Sequence, residues 1–223
     1  MDIIKLEKVS KIYGMGDSKV VALREVDLNI KKGSRVSIIG PSGSGKSTLL
    51  HIIGGVNSPS RGSVVVDNTD ITKLKDEELA VYRRRKLGFV FQAYHLIPVL
   101  SVEENINMGI LLDHKKPNKG YIEEIMNMLG IWEKRKVLPN QLSGGQQQRV
   151  AIARALANQP SIILADEPTG SLDTKNGHEV MNLLNESAIK YSQTLVLITH
   201  NIDLARETDR IIKIEDGQIV ADD

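Results

Sequence analysis

The chain has 223 residues, a formal net charge of +1 and no cysteine. The length fits one α/β domain, with or without a small inserted subdomain, and the charge gives no reason to expect bulk attraction to DNA or membranes. The lack of cysteine excludes disulfides and thiolate metal sites. The amino-terminus lacks the apolar stretch of a signal peptide, and no apolar run approaches the ~20 residues that span a bilayer. We therefore expect a soluble chain that serves a membrane, if at all, through a partner.

Strand-like and helix-like segments alternate along the chain. Apolar alternation and short β-branched runs predict strands at residues 3–9, 23–30, 35–39, 63–67, 88–91, 162–165 and 194–199, and a final hairpin over 210–220 turned at Asp216-Gly217. Helical spacing predicts helices at residues 46–53, 76–86, 121–129, 144–158, 174–191 and 202–207, and one that opens at Ser101 with a capping box. This alternation predicts an α/β fold with a mostly parallel sheet.

Two smaller parts are expected beside that sheet. We expect the first strands and the final hairpin to form a small antiparallel sheet. Residues from about 101 to 131 should form an inserted helical subdomain. The one dense basic run, Arg83-Arg84-Arg85-Lys86, is interpreted as a solvated helix face, with a binding patch as the alternative.

A glycine-rich segment links the strand at 35–39 to the helix at 46–53. It consists of Gly40, Pro41, Ser42, Gly43, Ser44, Gly45, Lys46, Ser47 and Thr48. Glycines let the backbone wrap closely around phosphate, so that its N–H groups and the positive end of the next helix point at phosphate oxygens. Lys46 would bring a mobile positive charge to the β- and γ-phosphates, and Ser47 a hydroxyl ligand to Mg²⁺. With a strand before it and a helix after it, the segment matches the phosphate-loop motif of nucleoside triphosphatases.

The strand at 162–165 ends in two carboxylates, Asp166 and Glu167. Alone, this pattern is equally typical of a buried strand that reaches solvent. With a phosphate loop upstream it predicts a second nucleotide motif, in which Asp166 holds Mg²⁺ directly or through water. Because adjacent residues of a strand point to opposite sides, Glu167 cannot duplicate that role.

The helix at 144–158 opens with Leu142-Ser143-Gly144-Gly145-Gln146. Alone, this stretch would be only a flexible loop and a helix start. Ser143 is a good N-cap, and the two glycines leave N–H groups uncovered, which suits an anion. The chain's own phosphate loop already serves its nucleotide, so this second anion site needs another phosphate.

These three motifs together resemble the ATP-binding cassette (ABC) family, whose signature is the stretch Leu142 to Gln146. The resemblance covers nearly the whole chain with the motifs in family order. It is strongest to ATPase subunits of the macrolide-export, lipoprotein-release and antimicrobial-peptide-resistance type. The supporting stretches lie at residues 89–92, 96–98, 140–141, 146–156 and 166–170.

The resemblance implies roles that composition and spacing do not. Glu167 would polarise the attacking water, and His200, after the strand at 194–199, would reach the γ-phosphate. Gln92 would touch Mg²⁺ or the attacking water and hinge the helical subdomain. Tyr13 would stack on adenine, and Asp173 belongs to a loop that crosses to a partner subunit. Outside the family, a strand-end histidine or glutamine and a loop tyrosine are commonly ordinary packing or surface residues, and the usual aspartate after the histidine is Asn201 here.

The resemblance also implies an assembly. Two copies of the chain would sandwich two ATP molecules head to tail, with Ser143, Gly144, Gly145 and Gln146 of one copy over the nucleotide of the other. Residues 1–92 and 160–223 would form the ATP-binding core with its antiparallel sheet, and residues 93–159 the helical subdomain. ATP hydrolysis would drive an integral membrane partner that exports or extracts a peptide, lipoprotein or drug-like substrate. The chain would be cytoplasmic and peripheral on the inner face of the cell membrane.

Two other functions are compatible with parts of this sequence. A non-transport ABC ATPase that acts on nucleic acid or ribosomes usually has coiled-coil insertions, two cassettes in one chain or long basic linkers. The sequence contains none of these, so no nucleic-acid partner is expected. A module that senses ATP without hydrolysing it is disfavoured by Glu167, His200 and Lys46.

Overall fold

The computed structural model describes the backbone of residues 1–223 and every side chain except that of Asp17. The strands are β1 (Asp2–Tyr13), β2 (Val20–Lys31), β3 (Arg35–Ile39), β4 (Arg61–Val66), β5 (Thr69–Asp70), β6 (Leu87–Phe91), β7 (Ile162–Asp166), β8 (Thr194–Ile198), β9 (Arg210–Glu215) and β10 (Gln218–Asp222). The helices are α1 (Lys46–Ile53), α2 (Asp76–Lys86), α3 (Val102–Leu112), α4 (Lys119–Met128), α5 (Gly144–Leu156), α6 (Thr174–Lys190) and α7 (Ile202–Ala205).

The predicted elements all form, and most differ from the prediction only at their ends. The largest difference is the first hairpin, where the strands continue until Tyr13 pairs with Val20. Backbone pairing continues there past the segment of alternating apolar residues, because ladder hydrogen bonds do not require buried side chains. The predicted capping box at the start of α3 is confirmed, since Ser101 Oγ accepts from the N–H of Glu104 and the Glu104 carboxylate accepts from that of Ser101.

Backbone contacts divide the chain into two compact units, one of residues 1–83 and 194–223 and the other of residues 84–193. The first unit contains an antiparallel sheet of order β2-β1-β4-β5. Buried aliphatic residues of β1, such as Ile4, Leu6 and Val9, form part of the core beneath it. The same unit contains β3, which pairs in parallel with both β8 and β9. The boundaries expected at residues 92 and 160 remain a prediction.

The final hairpin lies in a different sheet from the one we expected. It does not join the antiparallel sheet of the first strands, because β9 pairs in parallel with β3 and β10 pairs with β9. The physical reason is burial: Ile212 and Ile214 of β9 are both 0% exposed beside the apolar strand β3. The turn itself is as predicted, with φ of 47° at Asp216 and 78° at Gly217, the left-handed pair of a type I′ turn.

The second unit pairs β6 in parallel with β7 and packs α5 against β6. Gly88 of β6 allows this close approach, because a Cβ there would lie 2.5 Å from the carbonyl oxygen of Ala155 in α5. The buried face of α5 carries Val150, Ile152 and Leu156, each 0% exposed. This packing fixes the start of α5 relative to the end of β6. Every helix in the described part of the chain is too short or too polar to span a bilayer.

Candidate functional site

The phosphate loop runs from the end of β3 to the start of α1 in the first unit, and two of its glycines are required by the fold. Gly40 has φ of 150°, and a Cβ there would lie 2.0 Å from the carbonyl oxygen of Ile214. Gly45 has φ of 104°, and its Cβ would lie 2.4 Å from the carbonyl oxygen of Ala22. The loop backbone thus lies so close to its neighbours that any larger residue at either position would displace it. This is the tightly wrapped backbone that the glycine spacing predicts.

The polar groups of this loop are arranged for a ligand. Lys46 Nζ donates to the carbonyl oxygens of Gly40 and Pro41, both at 2.8 Å, which holds the ammonium over the loop. Ser44 is only 2% exposed, and its hydroxyl has no hydrogen-bond partner among the described residues. Gly45, the residue before α1, has no side chain that could accept hydrogen bonds from the first N–H groups of the helix. An uncapped helix start and an unsatisfied buried hydroxyl both fit an anion held by the loop.

His200 lies at the same sheet edge as this loop. It is exposed and follows β8, which runs parallel to β3 with Ile198 beside Ile38. The carboxyl ends of parallel strands meet at one edge, where α/β folds bind their ligands. The departure at Asn201 leaves the helix cap intact, because its side chain accepts from the N–H groups of Asp203 and Leu204 at the start of α7, as an aspartate would.

Tyr13 lies in the first unit at the end of β1 and is 39% exposed. Its hydroxyl accepts a hydrogen bond of 3.2 Å from Asn57 Nδ2. The ammonium of Lys11 lies 5.0 Å from the ring centroid, so a cation already occupies one face of the ring. The ring is partly exposed, and its stacking on adenine remains a prediction.

In the second unit, Asp166, Glu167 and Gln92 lie at one edge. Asp166 is the last residue of β7 and pairs with Phe91, the last residue of β6, so Gln92 follows beside it. A Cβ on Gly170 would lie 2.8 Å from Gln92 Nε2, which places the Gln92 side chain against the segment after Glu167. Both carboxylate residues are half-buried.

Glu167 differs from Asp166 for a reason that the sequence did not indicate. We expected strand alternation to separate the two side chains, but Glu167 lies just beyond β7 with φ of 46°. Residues other than glycine adopt this left-handed conformation less often than extended or helical ones, although several turn residues of this chain, such as Asp67 and Asn68, share it. The backbone itself therefore turns at Glu167 and sets its direction.

The signature starts α5 with a complete capping box. Ser143 Oγ accepts from the N–H of Gln146 at 3.3 Å, and Gln146 Oε1 accepts from the N–H of Ser143 at 3.0 Å. The two polar side chains expected to face a partner's phosphate are thus bonded to each other's backbone. Their spacing, Ser-x-x-Gln, is a capping-box pattern like the Ser-x-x-Glu at Ser101, but we predicted a box only at Ser101.

Asp173 starts α6 and caps it, accepting from the N–H of Asn176 at 3.0 Å. Hydrogen bonds from the Asn176 backbone and side chain lower the pKa of Asp173 below its usual value. The residue is exposed and follows Ser171 and Leu172. One nearby residue was missed by the sequence analysis: Tyr94, whose hydroxyl lies 3.0 Å from Ser171 Oγ. No pattern around Tyr94 signals this contact, because it joins segments far apart in the chain.

Comparison with known proteins decides the family. A family model described as ABC transporter matches residues 23–170. The chain belongs to the ABC transporter family. It is 48% identical over 223 residues to MJ0796, an uncharacterized ABC transporter ATP-binding protein of Methanocaldococcus jannaschii, across 97% of this chain and 95% of that protein.

A second relative has a further part. The macrolide export ATP-binding/permease protein MacB of Nitrosomonas europaea is 47% identical over 99% of this chain, which spans 34% of MacB. Among solved structures, the dimeric post-hydrolysis state of MJ0796 bound to ADP and Pi matches with a TM-score of 0.89 and 46% identity, over 99% of this chain and 97% of that one. The chain is therefore an ATP-binding subunit of an ABC transporter and an ATPase.

Proposed function

We propose that two copies of this ABC ATPase close around two ATP molecules and drive export or extraction of a substrate by an integral membrane partner. One observation carries the proposal: the chain has two helix starts suited to an anion, α1 and α5, and only α1 follows a phosphate loop. The second start needs a phosphate from another copy. The dimeric MJ0796 cassette and the combined ATP-binding and permease chain of MacB support this arrangement.

Each copy would contribute both halves of a site. The loop from Gly40 to Thr48 would hold the phosphates, with Lys46 on the β- and γ-phosphates and Tyr13 against adenine. Ser143, Gly145 and Gln146 would close over the γ-phosphate bound to the partner, and Asp173 would lie in the loop that crosses to it. The arrangement is isologous, as in most two-fold dimers.

The donors proposed for Mg²⁺ fit that ion. Ser47, Asp166 and Gln92 offer hydroxyl, carboxylate and amide oxygens, the hard ligands that Mg²⁺ prefers. No group of three or more acidic, histidine or cysteine side chains in the described part of the chain forms a ready metal site. Binding would therefore depend on phosphate oxygens of the nucleotide, as is usual for Mg²⁺. When bound, the ion would neutralise charge on the phosphates.

Hydrolysis would proceed by in-line attack of water on the γ-phosphorus. Glu167 would orient the water and accept its proton, while the bond from the γ-phosphorus to the bridging oxygen breaks and releases ADP and phosphate. His200 would contact the γ-phosphate from the sheet edge that it shares with Gly40. Positioning and charge stabilisation supply most of the rate in such reactions.

The wider setting follows from the same proposal. The core would comprise residues 1–92 and 160–223 and the helical subdomain residues 93–159. The chain would bind the cytoplasmic side of the cell membrane through its partner, without contact to nucleic acid. MacB is a macrolide export protein, which supports a drug-like substrate, whereas a peptide or lipoprotein substrate is proposed from the family resemblance alone.

Glu167→Gln tests the proposal. The amide keeps the size of the side chain but cannot accept the proton of water, so turnover should fall about 100- to 10,000-fold, the usual contribution of a general base. ATP binding should persist and trap a dimer, which light scattering with Mg-ATP would detect. Glu123→Gln, the same exchange at an exposed position of α4, is the control. A monomeric Glu167→Gln variant with normal turnover would refute the assignment.

A further inference from the structure

We infer that Tyr94 is a positioning residue for ATP hydrolysis, joining the segment after Gln92 to the signature helix and to the loop after Glu167. This inference rests on the functions proposed for Gln92, Ser143 and Asp173. Tyr94 lies two residues beyond Gln92 and is half-buried. All the contacts that support it lie within the second unit.

The first contact joins Tyr94 to the loop that contains Asp173. The Tyr94 hydroxyl and Ser171 Oγ lie 3.0 Å apart, within hydrogen-bond distance. Ser171 Oγ also lies 3.4 Å from the carbonyl oxygen of Gln92, to which it can donate. Ser171 therefore links the Tyr94 side chain to the Gln92 backbone, and the two segments move together as long as both bonds persist.

The second contact joins Tyr94 to the signature. A Cβ on Gly144 would lie 2.8 Å from the Tyr94 hydroxyl oxygen and 3.8 Å from the ring carbon that bears it. The glycine thus provides the space that this hydroxyl occupies, immediately after Ser143. Packing against Tyr94 therefore favours glycine at position 144, independently of any contact with phosphate.

The third contact fixes the backbone of Tyr94. Arg154, three turns further along α5, donates from Nη2 to the carbonyl oxygen of Tyr94 at 2.8 Å, and from Nη1 to that of His95. A guanidinium that bonds two successive carbonyls restrains the chain between them. The same helix that starts at the signature therefore also holds the segment from which Tyr94 projects.

Together these contacts place one hydroxyl between three segments proposed to act on ATP. A tyrosine that served only as packing would need its ring and not its hydroxyl, whereas here the oxygen lies within hydrogen-bond distance of Ser171 Oγ and fills the space that a Cβ on Gly144 would need. A displacement of the signature on dimer closure would reach Gln92 and Asp173 through this hydroxyl. Its loss should slow hydrolysis and leave nucleotide binding to the free chain unchanged.

Tyr94→Phe tests this directly. We expect kcat to fall about 3- to 10-fold, the fold-change that the net contribution of one hydrogen bond corresponds to, with unchanged ATP affinity of the monomer. Tyr191→Phe is the matched control, because its hydroxyl also makes a side-chain hydrogen bond, to Glu124 Oε1 at 3.1 Å, between α4 and the end of α6. A normal kcat in Tyr94→Phe, or an equal loss in Tyr191→Phe, would overturn the inference.

A double-mutant cycle separates positioning from simple loss of stability. Gly144→Ala should lower kcat strongly in the wild-type background, since its methyl group meets the Tyr94 hydroxyl. In the Tyr94→Phe background the nearest ring atom is 3.8 Å away, so the same substitution should cost clearly less. Additive effects on kcat would contradict the inference, because coupled residues are non-additive.

Parallel variants distinguish the two levels of the proposal. If Glu167→Gln and Ser143→Ala keep full turnover, the proposed site is wrong whatever Tyr94 does. If both lose turnover and Tyr94→Phe does not, only the function inferred for Tyr94 is wrong.

Discussion

The starts of α1 and α5 are both glycine-rich and both proposed to face phosphate, yet they are capped in opposite ways. α1 begins after Gly45, which has φ of 104° and makes no side-chain cap. α5 begins after Ser143, whose side chain forms a complete capping box with Gln146. The first N–H groups of α1 therefore have no side-chain acceptor from a capping residue, and we call this helix start open. At α5 the capping box supplies such an acceptor from within the chain.

This difference indicates an order of events. An open helix start can take an anion without rearrangement, so the phosphate loop can bind ATP in a single copy. At α5, the phosphate proposed to come from the partner would have to compete with the capping box of Ser143 and Gln146. A capping side chain contributes typically ~1 kcal/mol, and hydrogen bonds to a charged group about 1.5–3 kcal/mol. Under this proposal, replacing the capping bonds would be favourable only when a phosphate is present, and dimer closure would therefore depend on bound nucleotide.

The start of α6 completes the comparison. Its cap is the carboxylate of Asp173, which already supplies negative charge to the positive end of the helix dipole. A second anion there would be repelled. Glycine, serine and aspartate caps thus define a helix start that is open to phosphate, one that is conditionally open and one that is closed.

The largest effect is expected at the open start. Lys46→Ala removes the ammonium that lies over the loop and leaves the carbonyl oxygens of Gly40 and Pro41 without this donor. Loss of a charged hydrogen bond to phosphate should weaken ATP binding about 10- to 100-fold. Calorimetry on the free chain measures this. Lys32→Ala, the same change at an exposed lysine, should bind ATP normally, and an unchanged affinity for Lys46→Ala would remove that residue from the phosphate site.

The intermediate effect is expected at the conditionally open start. Ser143→Ala and Ser101→Ala each delete a capping box with the same Oγ to N distance of 3.3 Å. Loss of a cap costs about 1 kcal/mol, or about 2–4 °C in Tm for a chain of this size. Both variants should show that loss.

Only Ser143→Ala should also reduce ATP-driven dimerisation and lower turnover by about tenfold, because a phosphate hydrogen bond of about 1.5–3 kcal/mol would replace a cap of about 1 kcal/mol. ATP binding to the monomer should be normal in both variants. Equal turnover in the two would mean that Ser143 serves only as a cap, and weakened monomer binding in Ser143→Ala would contradict a site shared between copies.

The sequence predicted what depends on local order. The phosphate loop and the helices at 46–53 and 76–86 follow from glycine spacing, periodicity and charge within a few residues, and their bounds agree with the structure. The sheet of the final hairpin could not be predicted, because an apolar alternation such as that of Ile212 and Ile214 suits either sheet. The contact of Tyr94 with Ser171 depends on how separate loops converge, which no local pattern contains.

The smallest effect is expected at the closed start and depends on pH. Hydrogen bonds from Asn176 lower the pKa of Asp173 in the folded chain. The Asp173 carboxylate therefore contributes its full stabilisation above the ordinary carboxyl pKa of about 3.9. This stabilisation is lost as pH falls through the lower pKa of the folded chain. Asp173→Asn keeps a good cap, so the two proteins should have similar Tm at pH 7, with wild type slightly higher. Below about pH 4 the higher Tm of the wild type should approach that of Asp173→Asn.

Thermal unfolding of both proteins between neutral and acid pH measures this difference in Tm, with Asp223→Asn as the exposed control. A Tm difference that stays constant over that range would show that the carboxylate does not hold its charge for the helix, and the ranking of the three caps would then rest on α1 and α5 alone.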